Sequence, residues 1–215
     1  MSAIQCVIFD MDGTITDSLP LCVEAFRQAV VPFLRRTVTD EEILATFGPS
    51  DLGTLKLLVP DHLDEAMESF LLHYRRLHPL MCPKPFDEIV DLLQWLKSQK
   101  VPLGLVTGKG PRSLQITLDE LHLEPFFDAI ETGSPLHANK PECLRNILKK
   151  FDLKPENAVY VGDAPSDISA CREVSIPIFS AAWAKTAKPE TLQSLQPDKI
   201  FYSISDLVSE LRSCF

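Results

Sequence analysis

Positive charge, glycine and long apolar runs are all scarce in this 215-residue chain. Lys and Arg number 21 against 30 Asp and Glu, a formal net charge of −9. Nucleic-acid binders draw much of their affinity from Lys and Arg set against phosphates, so this balance excludes that class. No basic run exceeds the pairs Arg35-Arg36, Arg75-Arg76 and Lys149-Lys150. An anionic membrane surface is therefore an equally poor partner. At first sight the acid excess also argues against a phosphate-bearing ligand. No CxxC pair or zinc spacing links the six cysteines, Cys6, Cys22, Cys82, Cys143, Cys171 and Cys214. Most sit in apolar surroundings, so buried free thiols are expected. The start, Met1-Ser2-Ala3-Ile4-Gln5, has no basic residue, and the apolar run after it is only Cys6-Val7-Ile8-Phe9. That suits neither a leader nor a membrane span, and a cytoplasmic protein is expected.

What is present describes a globular chain. At 45% hydrophobic and 24% charged residues it can bury a core, as one large domain or one with an insert. Near-continuous apolar runs at 4–9, 103–106, 129–131, 158–161 and 176–179 predict buried strands, with 199–202 as a weaker sixth. Helical patterns at 86–100, 111–121, 141–151, 166–174 and 205–212 alternate with them. This rhythm predicts a doubly wound parallel α/β sheet. Residues 17–82 break it, with helical patterns and no strand. Leu21, Ala25, Ala29 and Phe33 mark one helix face, and Thr39-Asp40-Glu41-Glu42 reads as a capping box. A further helix is expected over 61–78, before Pro79, Pro83 and Pro85. The expected division is a catalytic core of 1–16 and 85–215 with a helical cap of 17–84.

The chemistry-bearing residues sit where predicted strands end. Asp10 and Asp12 flank Met11 just before Gly13, whose lack of a side chain permits a sharp turn. Two like charges about 4 Å apart repel by roughly 4 kcal/mol at an effective dielectric near 20, so such a pair calls for a cation or a shared proton. An ordinary Asp-Gly turn is the alternative. Thr107-Gly108-Lys109-Gly110 follows the second strand, with a hydroxyl and amides suited to phosphate oxygens or simply to a turn. Lys140-Pro141 opens a helix, where a lone lysine is commonly solvated. Gly162-Asp163-Ala164-Pro165-Ser166-Asp167 adds two carboxylates, or a helix cap. A parallel sheet gathers such strand ends on one edge. Oxygen ligands without a His or Cys cluster favour a hard cation such as Mg²⁺.

Taken in order, Asp10-Met11-Asp12-Gly13-Thr14, Thr107, Lys140 and Gly162-Asp163…Asp167 resemble the four motifs of the haloacid-dehalogenase superfamily, in the branch similar to phosphoglycolate phosphatase. The resemblance implies a Rossmann-like core with an inserted all-helical cap. It implies a phosphatase acting on a small phosphorylated metabolite, nominally phosphoglycolate. Asp10 is then the nucleophile that forms an aspartyl-phosphate, and Asp12 the general acid and base. Mg²⁺ falls to Asp10, the Asp12 carbonyl, Asp163 and Asp167. Thr107, the amides of Gly13 and Gly108, and Lys140 take the phosphoryl group. The motif reads Lys140-Pro141-Glu142-Cys143 where relatives often continue Lys-Pro-x-Pro, and Ser175 stands where glycine is frequent. The carboxylate at Asp12 speaks against a dehalogenase, and the absence of His in Ser18–Val23 against a β-phosphoglucomutase. A β-phosphoglucomutase-like activity, a pyrophosphatase, and a catalytically silent binder on the same fold are the alternatives. Phe47-Gly48-Pro49-Ser50 is the expected specificity loop, and Arg27 and Arg112 are candidate carboxylate contacts. The charge inference needs refining accordingly, because carboxylates that gather a dication beside Lys140 attract a phosphate locally.

Overall fold

The apolar run after Gln5 forms β1, Cys6–Phe9, with every residue buried. The computed structural model describes residues 4–215; residues 1–3, part of the segment on which the leader expectation rests, lie outside them. Five strands follow, β2 (Leu103–Val106), β3 (Ala129–Glu131), β4 (Ala158–Gly162), β5 (Ile178–Ala181) and β6 (Lys199–Phe201). All pair in parallel in the order β3-β2-β1-β4-β5-β6. The two-residue period of a strand divides the side chains cleanly. Val7 and Phe9 join Leu103, Leu105, Val159 and Val161 in one apolar cluster, while Cys6 and Ile8 join Ala158 and Tyr160 in another. Helices α5 (Ile89–Ser98), α6 (Pro111–Leu121) and α10 (Ile204–Cys214) cover the first face. Helices α7 (Lys140–Phe151), α8 (Pro165–Val174) and α9 (Pro189–Ser194) cover the second. This is the expected doubly wound α/β architecture.

Differences from expectation are local. β5 begins at Ile178 instead of 176, because Pro177 has no N–H to give the ladder; its carbonyl accepts from Tyr160 N at 2.9 Å. Helix α9 went unanticipated, since its six residues bury only Leu192 and show no apolar period. Ser175 caps α8 with a left-handed φ of 64°, the conformation for which glycine is the usual choice.

Between β1 and α5 the chain is helical throughout, in α1 (Leu19–Leu34), α2 (Asp40–Leu44), α3 (Asp51–Leu58) and α4 (Leu63–Met81). The capping box is present: Glu42 N donates to the Thr39 hydroxyl at 3.2 Å, and Thr39 N to the Glu42 carboxylate at 2.9 Å. Leu21, Ala25 and Ala29 are buried, with Phe33 at the edge of their cluster. α4 begins two residues late, after a 3₁₀ turn at Pro60–His62, and runs past the expected stop to Met81. Pro79 falls in its last turn, where the missing N–H costs a single hydrogen bond. Among the described residues no helix is long and apolar enough to cross a membrane.

These four helices have an apolar cluster of their own, centred on Phe26 stacked on Phe70 with ring centroids 4.2 Å apart, and Ile116 of α6 belongs to it. Tyr74 of α4 fixes the junction, its hydroxyl 2.8 Å from that of Thr117 with both side chains fully buried. Tyr74→Phe should cost about 1 kcal/mol, the usual net worth of one hydrogen bond. Thr117 retains Ser113 O at 3.3 Å, so no buried donor is orphaned. The expected result is a lower denaturant midpoint at unchanged slope.

Candidate active site

The chain order places the switch point of the sheet beside β1: later strands add outward from β2 on one side and from β4 on the other. Ligands of open α/β sheets bind at such a point, outside the carboxyl ends of the strands. Phe9 lies level with Leu105 and Val161, so Asp10 emerges between the ends of β2 and β4. Its amide donates to Val161 O at 2.9 Å. Its side chain is buried, with Oδ2 at 3.1 Å from Lys140 Nζ and Oδ1 without any hydrogen-bond partner. Lys140 also pairs with Asp167, which is fully buried and whose Oδ2 accepts Ala164 N at 2.9 Å. Asp163 accepts from the Thr14 hydroxyl at 3.3 Å.

Asp10, Asp163 and Asp167 can each present a carboxylate oxygen within 4.8 Å of the others'. Burial pushes Asp10 up to about 7, with Asp167 and Asp12 adding to the rise and Lys140 opposing it. Asp163 is raised well above the carboxylate range, by burial first and then by Asp10. Burial works against the charge on Lys140, yet Asp10 and Asp167 hold it above the ordinary lysine value. Three acids against one lysine leave uncompensated negative charge. A buried carboxylate oxygen without a donor, in an all-oxygen acidic group, fits a hard divalent cation.

Two glycines permit this crowding. At Gly13, where φ is 83°, an added Cβ would stand 2.1 Å from Asp163 Oδ2. At Gly162 it would stand 2.5 Å from Asp167 Oδ2. Trp183 closes the turn from outside, its indole N–H donating to Thr14 O at 3.2 Å. Nothing in the sequence around Trp183 points to that contact.

The second residue that sequence reasoning missed is Lys109. Its motif was noted for a hydroxyl and amides, yet its side chain is the buried partner of Asp12, with Nζ 3.0 Å from Oδ1. The ammonium also lies 3.0 Å from Cys22 Sγ of α1 and 4.6 Å from the centroid of the Tyr74 ring of α4. Burial alone would lower Lys109, but Asp12 and then Cys22 keep it well above its ordinary value. Ser18 donates to the same Asp12 oxygen. The signal available in sequence was a lysine three residues past a strand end, which is ordinarily solvated.

A cavity of about 430 Å³ opens above these groups, lined by Asp10, Asp12, Gly108, Lys109, Lys140 and Asp163 on the sheet side. The structure thus brings together five of the eight predicted residues around one space. Gly13, Thr107 and Asp167 stand behind that lining. Thr107 is buried, its oxygen accepting Lys109 N at 3.2 Å. Asp12 contributes no carboxylate to the acidic trio, consistent with metal contact through its carbonyl alone. Of the loop Phe47-Gly48-Pro49-Ser50, the first three residues line the cavity from the helical side and Ser50 does not. Arg27 and Arg112 do not line it. Arg27 is bound to Glu24, Asp40 and Val38 O, and Arg112 to Glu68 at 2.7 Å, so local acids on the outer helices claim both.

An acidic cavity at the switch point of a Rossmann-like parallel sheet narrows the class. A family model for haloacid dehalogenase-like hydrolases matches residues 7–181, and the chain belongs to that family. Among its relatives, pyrophosphatase PpaX of Bacillus pumilus is 29% identical over 210 residues, spanning 97% of this chain and 96% of that one. A haloacid dehalogenase-like hydrolase of Streptococcus pneumoniae superposes with a TM-score of 0.79 at 27% identity, covering 98% of this chain and all of the other. A predicted phosphoglycolate phosphatase of Haemophilus somnus shares the fold with a TM-score of 0.81 at 19% identity, over 98% and 99% of the two chains.

Proposed function

We propose that this hydrolase is a Mg²⁺-dependent phosphatase of small phosphorylated metabolites, working through an aspartyl-phosphate on Asp10. Residues 1–16 and 85–215 form its catalytic core, and residues 17–84 a cap over the cavity. The observation that supports this most directly is the buried, partnerless Oδ1 of Asp10 beside Lys140 and Asp163 in an open cavity. Asp10, Asp163 and the Asp12 carbonyl would hold the cation, with Asp167 supporting the site chiefly through Lys140 and the Ala164 amide. When bound, Mg²⁺ neutralises charge on the phosphoryl oxygens.

An Asp10 oxygen attacks phosphorus as the bond to the leaving oxygen breaks, and Asp12 gives that oxygen its proton. Water then attacks phosphorus of the aspartyl-phosphate, passes a proton to Asp12, and frees Asp10 and inorganic phosphate. Lys140 and the amides of Gly13 and Gly108, together with the Thr107 hydroxyl, hold the phosphoryl oxygens. Phosphoryl transfer is governed mainly by such positioning and charge. The pyrophosphatase relatives support a second reading, with phosphate itself as the leaving group on the same machinery. The test is Mg²⁺-dependent release of phosphate from p-nitrophenyl phosphate by the wild type, absent from Asp10→Asn.

Lys109 in this scheme holds Asp12 in place. Lys109→Met should lower kcat/KM for alkyl phosphates by roughly 10²-fold, within the usual worth of general acid catalysis. Turnover of 2,4-dinitrophenyl phosphate, whose leaving group departs without a proton, should fall far less. Equal losses on both would assign Lys109 to phosphate binding or to folding instead.

A further inference from the structure

The wall of the cavity facing the reacting groups differs sharply from its floor. Leu19, Cys22 and Phe26 of α1 meet Leu44, Phe47 and Pro49 there, and Phe26 and Phe47 pack edge to face with centroids 5.7 Å apart. Polar groups on this wall are already committed. The Thr54 hydroxyl donates to Thr46 O at 3.3 Å, and Asp51 Oδ2 accepts Gly110 N at 2.9 Å as well as the Ser113 hydroxyl.

Among the described residues, Lys109 and Lys140 are the only cations lining the cavity. Both are engaged: Lys140 by Asp10 and Asp167, and Lys109 by Asp12 beneath the Tyr74 ring. No arginine or histidine faces the space. A carboxylate or second phosphate on the leaving group would give up part of its hydration against the apolar wall and find no free cationic side chain. Desolvating an unpaired anion is among the costliest events a binding site can impose. An apolar leaving group would instead gain from covering the Phe26–Phe47 surface.

We propose that the preferred substrate is the phosphate monoester of an uncharged alcohol with an apolar body, small enough for a cavity of about 430 Å³. This rests on the phosphatase reading and narrows its substrate class, away from both phosphoglycolate and pyrophosphate. Phe47 is the selecting side chain, because it lines the cavity while 37% exposed, and so offers apolar surface that a leaving group can cover.

The experiment compares benzyl phosphate and butyl phosphate with phosphoglycolate and pyrophosphate by kcat/KM in Mg²⁺, with p-nitrophenyl phosphate as the control for chemistry. Benzyl phosphate should exceed phosphoglycolate by about 100-fold, the upper range of discrimination by an apolar pocket. Phe47→Lys, which places a cation at a position 37% exposed to solvent and is compared with the wild type only after its Tm shows it folded, should shrink that ratio at least about tenfold. Equal or greater efficiency on phosphoglycolate or pyrophosphate, with the control turned over, overturns this inference and leaves the phosphatase reading standing. So does a ratio unmoved by Phe47→Lys. Failure to hydrolyse even p-nitrophenyl phosphate overturns the phosphatase reading and takes this inference with it.

Discussion

Asp10→Asn should yield a folded protein that is more heat-stable than the wild type and has no measurable turnover of p-nitrophenyl phosphate. The amide matches the carboxylate in shape but cannot attack phosphorus, and loss of a nucleophile in a concerted site costs at least about 10⁴-fold. Stability moves the other way for an electrostatic reason. Burial raises the Asp10 carboxyl to about 7, with Lys140 opposing and Asp167 and Asp12 adding to the rise. A folded value above the unfolded one means that the proton is held more tightly in the native state. The contribution is therefore intact below the unfolded value, near pH 4, and is lost as pH rises toward 7. Asn carries no charge at any pH, and Lys140 keeps Asp167 as its partner. In metal-free buffer the gap in Tm between variant and wild type should be small at pH 4.5 and widen up to pH 7.5. A gap that does not change with pH would show that the buried charge of Asp10 is not what strains this site. Retained turnover would remove Asp10 from the chemistry.

Chelation of divalent ions should abolish turnover, and adding Mg²⁺ should raise Tm by an amount that depends on pH. Asp10 and Asp163 both have raised proton affinities, from burial first, with Asp167 and Asp12 adding to the rise at Asp10 against Lys140, and Asp10 adding to it at Asp163. Near pH 5 protons compete with the cation for the same oxygens, and that competition weakens as pH rises to 7.5. A ligand present at 100 times its dissociation constant stabilises by about 2.7 kcal/mol. For a chain of this size each kcal/mol moves Tm by roughly 2–4 °C, so a shift of about 5–10 °C is expected at pH 7.5 and a much smaller one at pH 5. Asp163→Asn should reduce the shift. Full activity in excess chelator, or a shift equal at both pH values, would count against a metal held by these carboxylates.

The strand ends show how much of this could be read from the chain. β2 and β3 begin and end at the expected residues, because short continuous apolar runs between polar helices have few other solutions. β1, β4 and β6 differ only at their ends, and β5 was displaced by the missing N–H of Pro177, a property of the ladder and not of hydropathy. The capping box and the buried face of α1 were legible because both are contacts within a few residues. The length of α4 was not, because the helix continues through Pro79, a residue that ordinarily ends one.

The site divides the same way. The sequence alone determined a parallel sheet, a helical segment after its first strand, and carboxylates at two strand ends. It did so because strand and helix periods, turn residues and parallel connectivity are local or topological properties. Only the tertiary structure decided which charges meet. Lys109 reaches Cys22 across 87 residues and Trp183 reaches Thr14 across 169, through the register of β1 with β2 and the packing of α1 on α4 and of α4 on α6. It also decided that Arg27 and Arg112 turn outward to nearby acids and that an apolar wall faces the nucleophile. Those outcomes depend on side-chain directions in packed space, where a neighbour's charge and distance matter and its position along the chain does not.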